Sequence, residues 1–202
     1  MLYKKILDDW YGGYVCLHPT DTVPGFSFNP NDKEAITRMK QLKGRNSSKN
    51  FVSLITNLEV AREFWEPLPP KLEDCLKKFW PGPLSVAWRA SKKAPSHLVS
   101  DDGYIALRSP LYKINTWMVK VLEQVNAPFP TTSVNISGQP PILSWSEAVS
   151  FIQGKDGVSC PFSDIQLEVS GGAKPSTLIK YDEVGGLTML REGTLSKELL
   201  VR

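Results

Sequence analysis

The sequence predicts an α/β protein, one twisted mixed sheet with helices packed against it. Strand-favouring runs at 14–17, 51–55, 84–88 and 104–107 interleave with stretches whose apolar residues recur every three or four positions. The interleaving lacks a strict strand–helix–strand rhythm, which points to a mixed sheet and away from an all-parallel one. A hydrophobic content of 41%, with six Trp and eight Phe in 202 residues, is enough for a sizeable core. The whole of 1–202 reads as one domain, without repeats, low-complexity tracts or an internal linker.

Leu2, Ile6, Leu7 and Trp10 share a helical face, and Gly12-Gly13 end that helix. The strand at 14–17 follows and gives way to His18-Pro19-Thr20-Asp21-Thr22-Val23-Pro24-Gly25. There, two hydroxyls and a carboxylate fall within three residues between stiffening prolines. In open α/β sheets ligands bind beyond the carboxyl ends of strands, so this exit is a candidate site; a self-capping turn is the plainer alternative. Asn31-Asp32 can cap a helix through Ala35, Ile36, Met39 and Leu42, with Gly44 closing it. The strand at 51–55 precedes two short helices, near 58–65 and 71–80, separated by Pro67-Leu68-Pro69-Pro70.

Trp80-Pro81-Gly82-Pro83 marks a hard turn before the strand at 84–88, and Asp101-Asp102-Gly103 a second before the strand at 104–107, with Arg108 at its exit. Ile114, Trp117, Met118, Val121, Leu122 and Val125 give the clearest helical stripe, read as core. A strand beginning at Thr131 dissolves into the polar run to Gly138. A helix is expected at Trp145–Ile152, strands at 165–169, 176–179 and 187–190, and a short helix near 196–201.

Composition narrows the classes. A net charge of +3 and a pI near 8.7 are compatible with RNA or nucleotide binding, with simple solubility as the plainer reading. Cys16, Cys75 and Cys160 are widely spaced, and His18 and His97 lie far apart, which argues against a structural zinc site and fits a reducing compartment. Lys4, Lys5, Asp8 and Asp9 interrupt any apolar leader, and no uncharged run reaches the roughly 18 residues of a membrane span. A cytoplasmic protein without membrane partners is expected.

Several strands end in polar or cationic residues: Thr22, Arg108, Ser133 with Asn135, and Arg191. Lys43, Arg45 and Lys49 form a basic cluster after the second helix. Together they suit an anion lying across strand ends, with Arg as a planar fork and Lys as a point charge. Each also has a plainer reading: Lys43 complementing a helix dipole, Arg45 and Lys49 as solvated loop charges, Ser133 and Asn135 as turn-formers. Neither GxxxxGK[ST] nor GxGxxG is present, and no Ser/His/Asp or Cys/His set stands out. Any chemistry would rest on positioning and charge.

Pro19-Thr20-Asp21-Thr22, Lys43-Gly44-Arg45 with Lys49, Trp80-Pro81-Gly82-Pro83, Ala106-Leu107-Arg108, Ser133-Val134-Asn135-Ile136-Ser137-Gly138, Pro175-Ser176-Thr177 and Leu190-Arg191 occur in this order. The ordered set, from Tyr3 to Thr194, resembles the YrdC-like threonylcarbamoyl-AMP synthases. The resemblance implies a twisted sheet around a basic cavity. It also implies that L-threonine, bicarbonate and ATP give threonylcarbamoyl-AMP and pyrophosphate, with Mg²⁺ accompanying ATP. The product would serve threonylcarbamoyladenosine formation in tRNA, through downstream threonylcarbamoyl-transfer proteins. By motif position Thr22 and Ser176 would contact threonine, with Thr131 near it and Arg108 serving either moiety. Lys43, Arg45, Lys49, Ser133, Asn135 and Arg191 would serve the nucleotide, and Arg45 and Lys49 would neutralise charge in catalysis. The chain departs from the family pattern at Pro24, Asn46, Val134 and Pro141, which bears on pocket shape and threonine selectivity.

Two other readings share the fold. One is a noncatalytic protein binding tRNA or double-stranded RNA in the basic cavity. The other is a carbamoyl-transfer module of hydrogenase maturation, which usually sits in longer multidomain chains. An additional C-terminal domain, carried by some relatives, is not expected here.

Overall fold

A computed structural model describes residues 2–44, 51–111, 116–163 and 174–200. Seven α-helices and nine strands are present among them, in the order α1 (Leu2–Tyr11), β1 (Val15–His18), β2 (Gly25–Ser27), α2 (Lys33–Leu42), β3 (Val52–Leu54), α3 (Leu58–Phe64), α4 (Pro70–Phe79), β4 (Leu84–Arg89), β5 (Tyr104–Arg108), α5 (Thr116–Val125), β6 (Phe129–Ser133), α6 (Trp145–Ile152), β7 (Val158–Ser159), β8 (Thr177–Tyr181), β9 (Leu187–Arg191) and α7 (Lys197–Leu200). The strands form one sheet in the order β7-β1-β2-β6-β3-β5-β4-β8-β9. Three neighbouring pairs are parallel (β1–β7, β3–β5, β4–β8) and the other five antiparallel, so the sheet is mixed as expected.

Local signals explain several helix ends. Asp32 Oδ1 accepts from Glu34 N at 2.8 Å and Ala35 N at 2.9 Å, capping α2. Gly44 closes that helix at φ 60°, with its N–H on the Gln41 carbonyl. Ser144 caps α6 through Glu147 N, and the Gly12-Gly13 pair ends α1, with Gly13 at φ 79°.

Two strands escaped the sequence reading. β2 is three residues long and begins at Gly25, within what reads as a rigid exit. β7 is two residues long and forms one edge of the sheet. Both are too short to show a period of two. β6 also starts earlier than expected, at Phe129, and takes Pro130 into the ladder. β2 pairs only as far as Ser27↔Thr131, whereas β3 continues to Ser53↔Pro130. Residue 130 therefore has a neighbour strand on one side only, where a missing N–H is tolerated. The expected strand at 165–169 lies outside the described residues, as does Ile114 of the α5 stripe.

Two apolar clusters flank the sheet. One packs α1, α2, α5 and α6 onto β1, β2 and β6 through residues such as Ile6, Met39, Val121 and Phe129. The other packs α3 and α4 onto β4, β5 and β8 through Phe64, Leu72, Leu76, Val86 and Leu107. Strand alternation sends Leu84, Val86 and Trp88 into this second cluster, which leaves Ser85 and Ala87 on the opposite face. On β5 the alternation likewise leaves Ala106 and Arg108 opposite Ile105 and Leu107. Small and polar residues thus collect on one face near the strand ends, and a hollow forms there.

Candidate functional site

The hollow is a cavity of about 240 Å³. Eight of the residues singled out in the sequence line it: Thr22, Lys43, Arg108, Thr131, Ser133, Asn135, Ser176 and Arg191. They come from the β1–β2 connection, the end of α2, the ends of β5, β6 and β9, the turn after β6, and the approach to β8. Strands distant in sequence end at one place because β6, β3, β5, β4 and β8 are consecutive neighbours in the sheet. Arg45 and Lys49 lie outside the described residues.

Arg108 is buried, and its two terminal nitrogens engage Asp21 as a fork, at 3.0 Å and 2.7 Å. Leu111 N also donates to Asp21 Oδ2, at 2.9 Å. Asp21 thus offsets the Arg108 charge and fixes the guanidinium plane. The sequence reading missed this role, although Asp21 sits beside Thr22 in the stretch that drew attention.

Lys43 is 1% exposed. Its Nζ donates to the Ser133 carbonyl at 2.9 Å and to Asn135 Oδ1 at 2.6 Å. These reach across 90 and 92 residues of chain, so Lys43 does more than complement the dipole of its own helix. Asn135 is spent on the same construction. Its Oδ1 also accepts from Ser133 Oγ at 2.7 Å, and its Nδ2 donates to the carbonyls of Ile136 and Gln139. The Asn135 side chain therefore braces the turn after β6 and orients Lys43.

Arg191 donates from Nε to the Ser176 carbonyl and from Nη2 to Ser176 Oγ. Ser176 Oγ in turn meets the wholly buried Ser85 Oγ at 2.9 Å. Burial, and then the charge of Arg108, hold the Arg191 pKa below its usual value. The negative charge of an arriving anion would offset both effects.

At the other end, Thr20 accepts from Thr22 N and Val23 N and donates to the Val23 carbonyl at 2.7 Å, which pins the β1–β2 connection. Gly25 lies against Thr131, and a Cβ there would meet Thr131 Oγ1 at 3.0 Å. Ser85, Thr20, Gly25 and Asp21 carry this geometry without having been singled out as site residues. Only the last three had a signal, their place in the polar strand exit.

Among the described residues the cavity thus brings together hydroxyls and three cations, one of them offset by a carboxylate. Among the described residues no group of three His, Cys, Asp or Glu could hold a metal ion, and Asp21 is engaged by Arg108 and Leu111. Those residues do not form a protein-built divalent site.

The Sua5/YciO/YrdC family model, described as "Telomere recombination", matches residues 9–193. The chain belongs to that family. It is 28% identical over 149 residues, 73% of its own length and 78% of the relative's, to the threonylcarbamoyl-AMP synthase of Pseudoalteromonas atlantica. It is 29% identical over 143 residues to the threonylcarbamoyl-AMP synthase of Pyrococcus abyssi, covering 71% of this chain and 41% of that one. The crystal structure of P. abyssi Sua5 complexed with L-threonine superposes with a TM-score of 0.80 at 26% identity, over 98% of this chain and 56% of that chain. The chain spans little more than half of that solved relative, so the match covers one part of a longer protein. Among the described residues, no helix is long and apolar enough to cross a membrane.

Proposed function

We propose that the chain is a threonylcarbamoyl-AMP synthase, a nucleotidyltransferase that uses L-threonine, bicarbonate and ATP. The observation that carries this reading is the meeting of Thr22, Thr131 and Ser176 with Lys43, Arg108 and Arg191 in one cavity. Hydroxyls suit the polar groups of an amino acid, and converging cations suit phosphates and a carboxylate. Relatives named as threonylcarbamoyl-AMP synthases, and one solved with L-threonine, support the same assignment.

The chemistry asks little covalent work of the protein. Threonine's amine and bicarbonate combine, with loss of water, to a carbamate. A carbamate oxygen then bonds to the α-phosphorus of ATP as the bond from that phosphorus to the bridging oxygen breaks, and pyrophosphate leaves. Both partners are anionic, so positioning and positive charge lower the barrier. Lys43 and Arg191 would serve the nucleotide, with Ser133 beside Lys43 and Asn135 holding Lys43 in line. Thr22, Thr131 and Ser176 would contact threonine, and Arg108 would serve either moiety. Arg45 and Lys49 are proposed to neutralise the developing charge. Magnesium enters as part of the ATP substrate. The product is proposed to feed transfer to tRNA by a separate protein.

Pyrophosphate release from magnesium–ATP tests the reading. Release should require both L-threonine and bicarbonate. Release that ignores either, or none at all from folded protein, rejects the assignment.

A further inference from the structure

His18 ends β1 with its side chain wholly buried, edge-on to Trp117 and tilted against Phe129. Its Nδ1 lies 3.0 Å from the Pro19 carbonyl oxygen. A carbonyl only accepts, so Nδ1 must carry a proton. Burial, with the nearby charge of Arg108 adding to it, pushes the ring's pKa down to about 4, and at neutral pH the ring holds that one proton alone. Nε2 is then a bare acceptor. The group it meets is Thr131 Oγ1, at 3.5 Å, on the wall of the cavity. The hydroxyl proton of Thr131 is therefore drawn inward, and its oxygen faces the cavity with lone pairs.

The neighbouring hydroxyls are sorted in the same way. Thr20 gives its single proton to the Val23 carbonyl, and its two lone pairs take the N–H groups of Thr22 and Val23. Ser133 gives its proton to Asn135 Oδ1. Thr131 and Ser133 are thus set as acceptors on the lining, while the cations supply the donors.

We propose that His18 is a positioning residue that holds Thr131 as a hydrogen-bond acceptor, so that the cavity selects an amino-acid substrate through a donor group, its α-ammonium or its hydroxyl. This deepens the synthase reading and rests on it for the identity of the amino acid. An amine converted to a carbamate keeps one N–H, so the contact would survive the first chemical step.

Calorimetry on the full chain tests the idea with L-threonine, 2-aminobutanoate (no hydroxyl) and 3-hydroxybutanoate (no amine). His18→Phe should weaken threonine about tenfold, one lost hydrogen bond, and abolish discrimination against whichever analogue lacks the donor that Thr131 receives. ATP affinity should stay unchanged. Thr131→Val should give the same loss, and the double variant no more than either single one. His18→Gln, whose amide oxygen can accept, should recover part of the loss. Nitrogen-15 spectra of the wild-type ring, which need no variant to fold, should show Nδ1 protonated and Nε2 bare. A proton on Nε2, additive effects of the two substitutions, or unchanged discrimination in His18→Phe overturns the inference while leaving the synthase reading intact. Donor-dependent threonine binding without pyrophosphate release keeps the inference and rejects the synthase; no threonine binding by the wild type rejects both.

Discussion

Arg191 grips Ser176 twice, from Nε to the carbonyl oxygen and from Nη2 to the hydroxyl, each at 3.0 Å. The last residue of β9 is thereby tied to the segment entering β8. The two pairs of atoms need a planar fork, which lysine lacks.

Arg191→Lys should therefore raise the KM for ATP about tenfold, the loss of one charge-assisted bond, although the positive charge remains. Ser176→Ala should raise the KM for threonine and for ATP together, because it removes the proposed threonine contact and half of the Arg191 clasp. Steady-state pyrophosphate release at varied substrate checks both. An unchanged ATP KM in Arg191→Lys would show that charge alone suffices.

The Asp21–Arg108 pair is buried, with side chains 2% and 3% exposed. Asp21→Asn leaves a buried guanidinium without its counter-charge and should destabilise the fold by about 3–5 kcal/mol. Asp21→Asn combined with Arg108→Gln should cost clearly less than the two single substitutions summed, since the second removes the stranded charge. Urea unfolding of the three variants reads this directly. Strict additivity would mean that the pair is energetically unimportant.

Gly25 faces Thr131 Oγ1 and Thr20 Cγ2 at 3.0 Å and 3.3 Å from where a Cβ would stand. Gly25→Ala asks both to give by a few tenths of an ångström. Its cost should be about 1–3 kcal/mol of stability, with the KM for threonine raised and that for ATP unaffected. A larger effect on ATP would place threonine elsewhere in the cavity.

His18 also predicts a pH dependence. Its folded pKa of about 4 lies below the ordinary 6.5, so the unfolded chain takes up the proton first as pH falls. The stability from holding the ring neutral is complete above about pH 6.5 and is lost progressively down to about pH 4, with a total of about 3 kcal/mol. His18→Phe should lack this component. Urea midpoints of wild type and variant at pH 7 and pH 4.5 measure it, and parallel shifts in the two would contradict it.

The helices were legible because their signals are local. Asp32 and Gly44 bracket α2, and Ser144 opens α6, each acting within three or four residues. The strand at β2 was not legible, since three residues beginning with Gly25 carry no pattern without β1 and β6 beside them. The site was partly legible. Strand exits pointed to Thr22, Arg108, Ser133, Asn135 and Arg191, the basic cluster to Lys43, and the family resemblance to Thr131 and Ser176; all eight line one cavity. Their partners were hidden: Asp21 meets Arg108 across 87 residues, and Ser85 meets Ser176 across 91.

By itself the sequence determined a mixed α/β protein, the positions of most helices and strands, and which polar residues stand at strand ends. Those features follow from periodicity, capping and turn chemistry, which act over a few residues. The tertiary structure alone decided that Arg108 is offset by Asp21, that Lys43 is held by Ser133 and Asn135, and that Thr131 faces His18. Each of these is a polar contact wholly or partly removed from water, and its direction is set by which donors and acceptors the sheet order brings within 3.5 Å.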